Sequence, residues 1–474
     1  MKYVPTLLAA FALLLSARAE QITVLGINDM HANMRDMPKL CTFVQQQRQQ
    51  DPDLLLLAAG DNRTGDPYCD FHPRPGWPMT ALMNKVGFNL SALGNHEFDG
   101  TADSLRDVLN SADFRHVCAN FFAPDSLRLH VEPYRIFERK GVKIGVLGLI
   151  QVNERGCPDV HPAKAKDYRF ADPFQTAQQY RWLRQHCDVL ILLTHMGYED
   201  DVKLAALFPE ADAIVGGHSH TRVEHPAPVN GVLVTQSEKS VRYITRLTFE
   251  VEGGKVVSKQ AELLPLKNIP PDAACEALVQ ELMNAPELRR TLAENKSRIP
   301  TRSVLAHLMA DALKAGTGAD LALQNPGGVR MDFLEPGPVT VGDVFRMDPF
   351  GNEVVLVKLT GRELLDFLAA VTSLDHEYGV PAVSGLRYTA RMAPDYSVCI
   401  DSATLADGTP LQQEKVYNVA VGGFSFSAVK FPHTDPGTST GQTSEDLIVN
   451  YLEQQGQVDY GTVTPDAVTP VPSL

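Results

Sequence analysis

Cationic charge is in short supply in this 474-residue chain: 43 Lys and Arg stand against 57 Asp and Glu, a formal net charge of -14. That deficit excludes broad electrostatic wrapping of a nucleic-acid polymer, while leaving room for one small anion in a locally cationic pocket. After residue 19 no apolar run approaches the roughly 20 residues that a membrane-spanning helix needs. Cysteine is sparse as well. Cys41, Cys69, Cys118, Cys157, Cys187, Cys275 and Cys399 form no Cys-x-x-Cys pair, which argues against a zinc knuckle or a dithiol redox motif. The expectation is buried thiols with one or two bridges. Internal repeats are absent too. What remains is 44% apolar and 21% charged, an ordinary globular balance over a length suited to about two or three domains.

The N-terminus is the one apolar exception. Met1 and Lys2 give a basic start, residues 7–15 an apolar stretch, and Ala17-Arg18-Ala19 a small-x-small cleavage sequence. Residues 1–19 therefore read as a secretory signal peptide, and no cysteine at the cleavage point offers a lipid site. The expectation is an exported protein, periplasmic or extracellular.

From 20 to 268, short apolar runs alternate with helical stretches. Residues 22–27, 54–59, 89–93, 143–149, 189–194 and 213–215 read as buried strands. Residues 37–50, 79–86, 102–109 and 173–185 read as helices between them, which implies a layered α/β domain. Residues 232–257 are expected to form closely spaced antiparallel hairpins. Ile269-Pro270-Pro271 ends this region. The charged stretch that follows, with Asp272 as N-cap, makes 269–296 an expected connecting helix. A smaller α/β region over 297–474 has expected helices at 303–313 and after Gly361, with strands at 354–359 and 417–421. Residues 462–474, rich in Pro, Thr and Val, are expected to fray.

Chemistry-bearing side chains fall at the strand ends. The first strand runs into Asn28-Asp29-Met30-His31 and the second into Gly60-Asp61-Asn62. The third ends in Gly94-Asn95-His96-Glu97-Phe98-Asp99, and later ones in Thr194-His195-Met196-Gly197 and Gly216-Gly217-His218-Ser219-His220. Any one of these alone reads as a turn. Five in register do not, because turns have no need of histidine, and ligands gather at the C-terminal edge of α/β layers. Mixed His, Asp and Asn donors suit zinc, manganese or iron, and an aspartate able to bridge suggests two ions.

This ordered set resembles the motifs of the calcineurin-like metallophosphatases, specifically the secreted 5'-nucleotidases. Asn325-Pro326-Gly327-Gly328-Val329-Arg330 and Asp348-Pro349-Phe350-Gly351-Asn352 are similar to motifs of that family's C-terminal domain. The resemblance implies a four-layer αββα metallophosphatase sandwich followed by a smaller α/β substrate-binding domain. It implies two divalent metal ions: Asp29, His31 and His220 holding one, Asn95, His195 and His218 the other, and Asp61 bridging. His96 would face the phosphate and Asp99 would orient that imidazole, although Asp99 also suits a helix N-cap. The implied reaction removes the 5'-phosphate of a nucleoside monophosphate by attack of a metal-bound hydroxide.

For the nucleoside, the resemblance implies Asn325, Arg330 and Phe350 directly, and Arg298 and Phe424 by their offset from the neighbouring helix and strand. A surface ion pair is the plainer reading of Arg298, and a core aromatic that of Phe424. One departure stands out. Where the family usually carries Gly-Gly-Asp-Gly, this chain reads Ser425-Phe426-Ser427-Ala428-Val429-Lys430-Phe431-Pro432, with no acid. Asp435 and Asp446 are the acids nearest to hand as substitutes. Neighbouring reactions fit the same constellation: hydrolysis of nucleotide sugars, of 2',3'-cyclic nucleotides, or of a thiosulfonate on a carrier protein. A metal-bearing binding protein without turnover is the alternative from another class, and it has no need of His96 and Asp99.

Overall fold

The computed structural model describes residues 19–374, 378–465 and 467–470, the last four as backbone. Nearly all of the stretch read as a signal peptide lies outside the described residues. Two mixed sheets face each other in the first half of the chain. One has seven strands in the order Lys255–Pro265, Tyr243–Glu252, Glu20–Ile27, Leu55–Ala58, Leu90–Ala92, Arg115–Val117 and Val131–Glu132. The other has six, in the order Pro228–Val229, Val232–Thr235, Ala213–Val215, Val189–His195, Val142–Ile150 and Tyr134–Arg139.

Alternation along each strand builds the layers. In Glu20–Ile27, Ile22 and Val24 join Ile144, Val146, Ile191 and Leu193 of the other sheet in one buried cluster. The side chains between, Leu25 and Ile27, turn outward onto Leu40 and Val44 of the helix Met37–Gln50 and Met79 and Leu82 of the helix Trp77–Val86. The second sheet does the same, setting Leu147, Leu190 and Leu192 against Leu204 and Phe208 of its own helical layer. A period of two on both faces therefore yields helix, sheet, sheet, helix. Each fully buried Leu, Ile or Val contributes about 1.5–3 kcal/mol.

Three stretches differ from the reading above. Residues Val232–Thr235 pair parallel with Ala213–Val215 on one side and antiparallel with Pro228–Val229 on the other, and extend that sheet; a second antiparallel hairpin joins Tyr243–Glu252 to Lys255–Pro265. The connecting helix expected over 269–296 is helical only from Ala273 to Leu282, with Asp272 capping the N–H of Cys275 at 2.8 Å. Pro286 ends it, because the residue before a proline is driven to extended backbone, as Ala285 is. Residues Thr291–Asn295 then form a strand, antiparallel to Gly337–Thr340 and parallel to Gln457–Val458. The tail is not wholly frayed either: Ala467–Pro470 pairs parallel with residues 389–392.

The largest sheet of the second domain has five strands, in the order Ala382–Ser384, Leu321–Gln324, Val416–Gly422, Glu353–Thr360 and Thr438–Thr443, beside two three-stranded sheets. The helices Arg302–Thr317 and Gly361–Leu374 pack against it. All seven cysteines are free thiols, six buried and Cys399 exposed, so neither expected bridge forms. No helix among the described residues is long and apolar enough to cross a membrane.

Candidate metal centre and substrate cleft

The strand ends converge as their chemistry requires, and the backbone is bent to achieve it. Asp29, His31, Asp61, His218 and His220 all have positive φ, at 50°, 45°, 51°, 84° and 55°. An L-residue in that region costs about 1 kcal/mol or more, and such strain gathers at functional sites. Gly60 and Gly94 make the convergence possible. A Cβ on Gly60 would sit 2.8 Å from His195 Nδ1, and one on Gly94 would collide with the carboxylate of Asp61.

All seven expected ligands meet in one place, as two lobes joined by Asp61. In the first lobe, His31 Nε2 and His220 Nε2 face each other at 2.9 Å, with Asp29 Oδ1 3.8 Å from the former and 3.4 Å from the latter. In the second, Asn95 Oδ1 lies 3.1 Å from His195 Nε2 and 3.0 Å from His218 Nδ1. Asp61 Oδ2 stands between the lobes, 3.1 Å from His195 Nε2 and 3.9 Å from His31 Nε2.

Ring orientation is set from behind. His31 Nδ1 is 2.9 Å from the carbonyl of Thr64, and His195 Nδ1 is 2.6 Å from that of Ala59. A carbonyl can only accept, so both rings donate there and turn the lone pair of Nε2 inward. His31 therefore offers an Nε2 lone pair to His220 Nε2, which either a proton on His220 or a bound cation satisfies. The residues present fit divalent metal.

His96 lies beside this centre. Its Nδ1 meets Asp99 Oδ2 at 2.6 Å, and its Nε2 is 3.9 Å from Asp61 Oδ2. Burial acts to discharge His96, but the Asp99 and Asp61 carboxylates more than offset it and raise its pKa above the ordinary histidine value. The N-cap of the following helix is Thr101, so Asp99 is free of that duty. His31, Asp61 and His96 also lie close enough to form a third donor group.

Sequence reasoning missed two supports. Glu97 is buried, and its carboxylate accepts the N–H groups of Asp61 (3.0 Å), Asn62 (2.9 Å) and Gly94 (2.6 Å). It therefore binds two of the loops that carry clustered donors to each other. The carbonyl of Asp159 accepts from Asn95 Nδ2 at 3.0 Å, which turns the amide oxygen of Asn95 toward the two histidines. The only available signal for Glu97 was its place directly after His96.

A cleft of about 890 Å³ opens over the centre. Asp61, Asn95, His96, His218 and His220 line it from the first domain, and Asn325, Arg330, Phe350 and Phe424 from the second. Phe350 stacks on His96 with ring centroids 6.0 Å apart, and the Arg330 guanidinium is 5.6 Å from the Phe350 ring. Arg330 Nη2 comes within 3.4 Å of His31 Nδ1. Arg298 is not brought in. Its side chain is 52% exposed, ion-paired with Glu335 and over the ring of Phe333. The loop lacking the acid folds as a short helix, Gly423–Ala428, and Ser425 Oγ donates to Asn325 Oδ1 at 2.7 Å. Asp435 and Asp446 serve backbone N–H groups of Lys358 and Thr443 and do not line the cleft.

Residues 22–222 match the calcineurin-like phosphoesterase family, and residues 282–432 the C-terminal domain of 5'-nucleotidases. A 5'-nucleotidase of Vibrio cholerae is 27% identical over 94% of this chain and 92% of its own. The solved 5'-nucleotidase precursor of Thermus thermophilus superposes with a TM-score of 0.82 at 26% identity, covering 96% of this chain and 100% of that one. The sulfate thiohydrolase SoxB of the same organism shares the fold, with a TM-score of 0.77 at 17% identity over 96% of this chain and 97% of that one. Fold and site together define a two-domain metallophosphatase. Within that class the chain belongs to the 5'-nucleotidase family and is a metal-dependent hydrolase.

Proposed function

We propose that this protein is an exported 5'-nucleotidase that converts nucleoside monophosphates to nucleoside and phosphate. Its metallophosphatase domain spans 20–268 and its substrate domain 297–474, with 269–296 between them. The observation that carries this reading is the shared cleft: stacking and forked cationic groups (Phe350, Phe424, Arg330) open onto the same space as Asp61, Asn95, His218 and His220 of the donor cluster. Asp29, His31, Asp61, Asn95, His195, His218 and His220 would hold two divalent ions, zinc, manganese or similar, which supply positive charge to the phosphoryl oxygens and acidify the attacking water.

The chain's own residues do the rest. Asp99 keeps His96 protonated, and the imidazolium donates from Nε2 to a phosphoryl oxygen as charge gathers there in the transition state. Arg330 reaches phosphate or ribose oxygens with its fork of donors. Phe350 and Phe424 sandwich the base, which any base accepts because each has a π face. With no acid in the 425–432 loop, selectivity between bases is expected to be modest, with purines favoured roughly tenfold or less.

Hydrolysis of adenosine, guanosine, cytidine and uridine 5'-monophosphates, beside a nucleotide sugar, a 2',3'-cyclic nucleotide and a protein-bound thiosulfonate, tests the reading. The expected outcome is turnover of all four monophosphates within a tenfold range of kcat/KM. Failure on all four with turnover of another substrate would replace the assignment. A hundredfold preference for one base would reveal recognition of a base edge.

A further inference from the structure

Two buried carboxyl groups lie directly behind the Phe350 loop, away from the donor cluster. Asp348 closes the helix Val341–Met347, Glu445 opens the helix Ser444–Gln455, and both side chains are almost wholly buried. Their contacts with the loop are unusually complete. Phe350 N–H donates to the Asp348 carboxylate. Gly351 N–H donates to Glu445 Oε1 at 2.6 Å, with Gly351 at φ 61°. Asn352 O accepts the N–H of Ser444 at 3.0 Å. Ser444 Oγ donates to Asp348 Oδ2 at 2.5 Å and lies 3.4 Å from Glu445 Oε2. A proton on Glu445 Oε2 completes a chain from Glu445 through Ser444 to Asp348.

We infer that Asp348 and Glu445, linked through Ser444 and sharing one proton, are positioning residues that hold the Phe350 ring in the cleft and release it when that proton is lost. The inference rests on the reading of Phe350 as the ring that stacks on the substrate base. Burial is the leading cause on both carboxyls. It lifts Asp348 to about 6, and together with the Asp348 charge it lifts Glu445 to about 8. Between those values the pair carries one proton. Above them, two adjacent buried charges repel, and since one sits at the base of the loop and the other on the helix, repulsion parts the two elements.

Other charged groups on the surrounding elements have partners of their own or lie at a helix end. Arg346 pairs with Asp343, Glu353 accepts from Ser439, and Asp446 serves the N–H of Thr443. Asp311 accepts from Ser384 and Tyr460, and Lys314 sits in the last turn of its helix. Glu363, on the helix after Glu353–Thr360, accepts from Thr360 and Thr434.

The test measures KM and kcat of the metal-loaded protein from pH 6.5 to 9.5 with adenosine 5'-monophosphate and with p-nitrophenyl phosphate, which has no base to stack. For wild type, KM for the nucleotide should rise roughly tenfold or more across the upper part of this range, one proton being lost, while KM for p-nitrophenyl phosphate follows no such step. Glu445→Gln keeps an acceptor for Gly351 and a donor for Ser444 but cannot ionise, so it should abolish the step. Asp348→Asn, also limited to one carboxyl, should do the same and serves if the first variant does not fold. A step that persists in both variants, or that is equal for p-nitrophenyl phosphate, overturns the inference. If wild type cleaves p-nitrophenyl phosphate but no nucleotide, the functional reading falls. Amide exchange of the 348–352 peptide, corrected for intrinsic rate, then decides the clamp. Wild-type exchange should exceed that of Glu445→Gln above pH 8, and equal rates would refute it.

Discussion

Replacing His96 by alanine separates transition-state stabilisation from metal binding. The side chain lost is an imidazole held to Asp99 at 2.6 Å, its pKa raised by two carboxylates against a burial that acts to lower it. A preorganised donor of this kind, removed from a site that excludes water, costs about 100- to 1000-fold in kcat, or ~3–4 kcal/mol. The backbone is spared, because His96 N–H to Asp61 Oδ1 (2.9 Å) survives the substitution, so the Asp61 carboxylate keeps its orientation. Steady-state phosphate release from adenosine 5'-monophosphate, with metal counted by elemental analysis on the same sample, should show that loss at unchanged metal content. Loss of metal in His96→Ala would mean that the third donor group, His31–Asp61–His96, is a true ligand set and that His96 has been given the wrong task. The companion variant Asp99→Asn gives the sign. Asp99 raises the His96 pKa, and on the proposed mechanism the protonated ring is the active form, so activity should fall as pH rises through that pKa. Without the carboxylate this alkaline limb should move to lower pH, and a limb that stays in place refutes the pairing.

Two further outcomes follow from the geometry. Glu97→Ala leaves three buried N–H groups without an acceptor; at about 1–3 kcal/mol for each orphaned group, it should lower stability by at least ~3 kcal/mol in chemical denaturation and reduce metal affinity, and a loss below ~1 kcal/mol would show that water replaces the carboxylate. Because Phe350 and Arg330 lie on one domain and His96 on the other, a cross-link that holds the domains apart should suppress nucleotide hydrolysis while sparing p-nitrophenyl phosphate, and undiminished nucleotide turnover in the locked-open protein would refute the need for closure.

Much of the first domain was legible because its signals are periodic. Strands such as Val189–His195, buried on both faces, read as unbroken apolar runs, and the helix Met37–Gln50 carries its proline at the second position, where the missing N–H is harmless. The donor cluster was legible for another reason: turns account for aspartate and asparagine at strand ends, but not for histidine recurring beside them. Other features leave no such trace. Positive φ at Asp29, His31 and Asp61 is imposed by tertiary convergence and has no glycine to announce it. Arg298 and the true contents of the second-domain cleft depend on where a helix begins, and an offset of a few residues turns a side chain from cleft to solvent. Residues 291–295 looked helical by charge, yet two partner strands far along the chain claim them. Glu97, Asp348 and Glu445 were passed over because a buried acid supporting backbone N–H groups reads, in sequence, like any surface acid.

The most direct test of the account is the metal content of the purified protein measured together with its nucleotidase activity through one cycle of chelation and reloading. The expected result is close to two divalent ions per chain, activity lost in proportion as they are removed, and recovery when zinc or manganese is restored. Full hydrolysis of adenosine 5'-monophosphate by protein stripped of metal would contradict it.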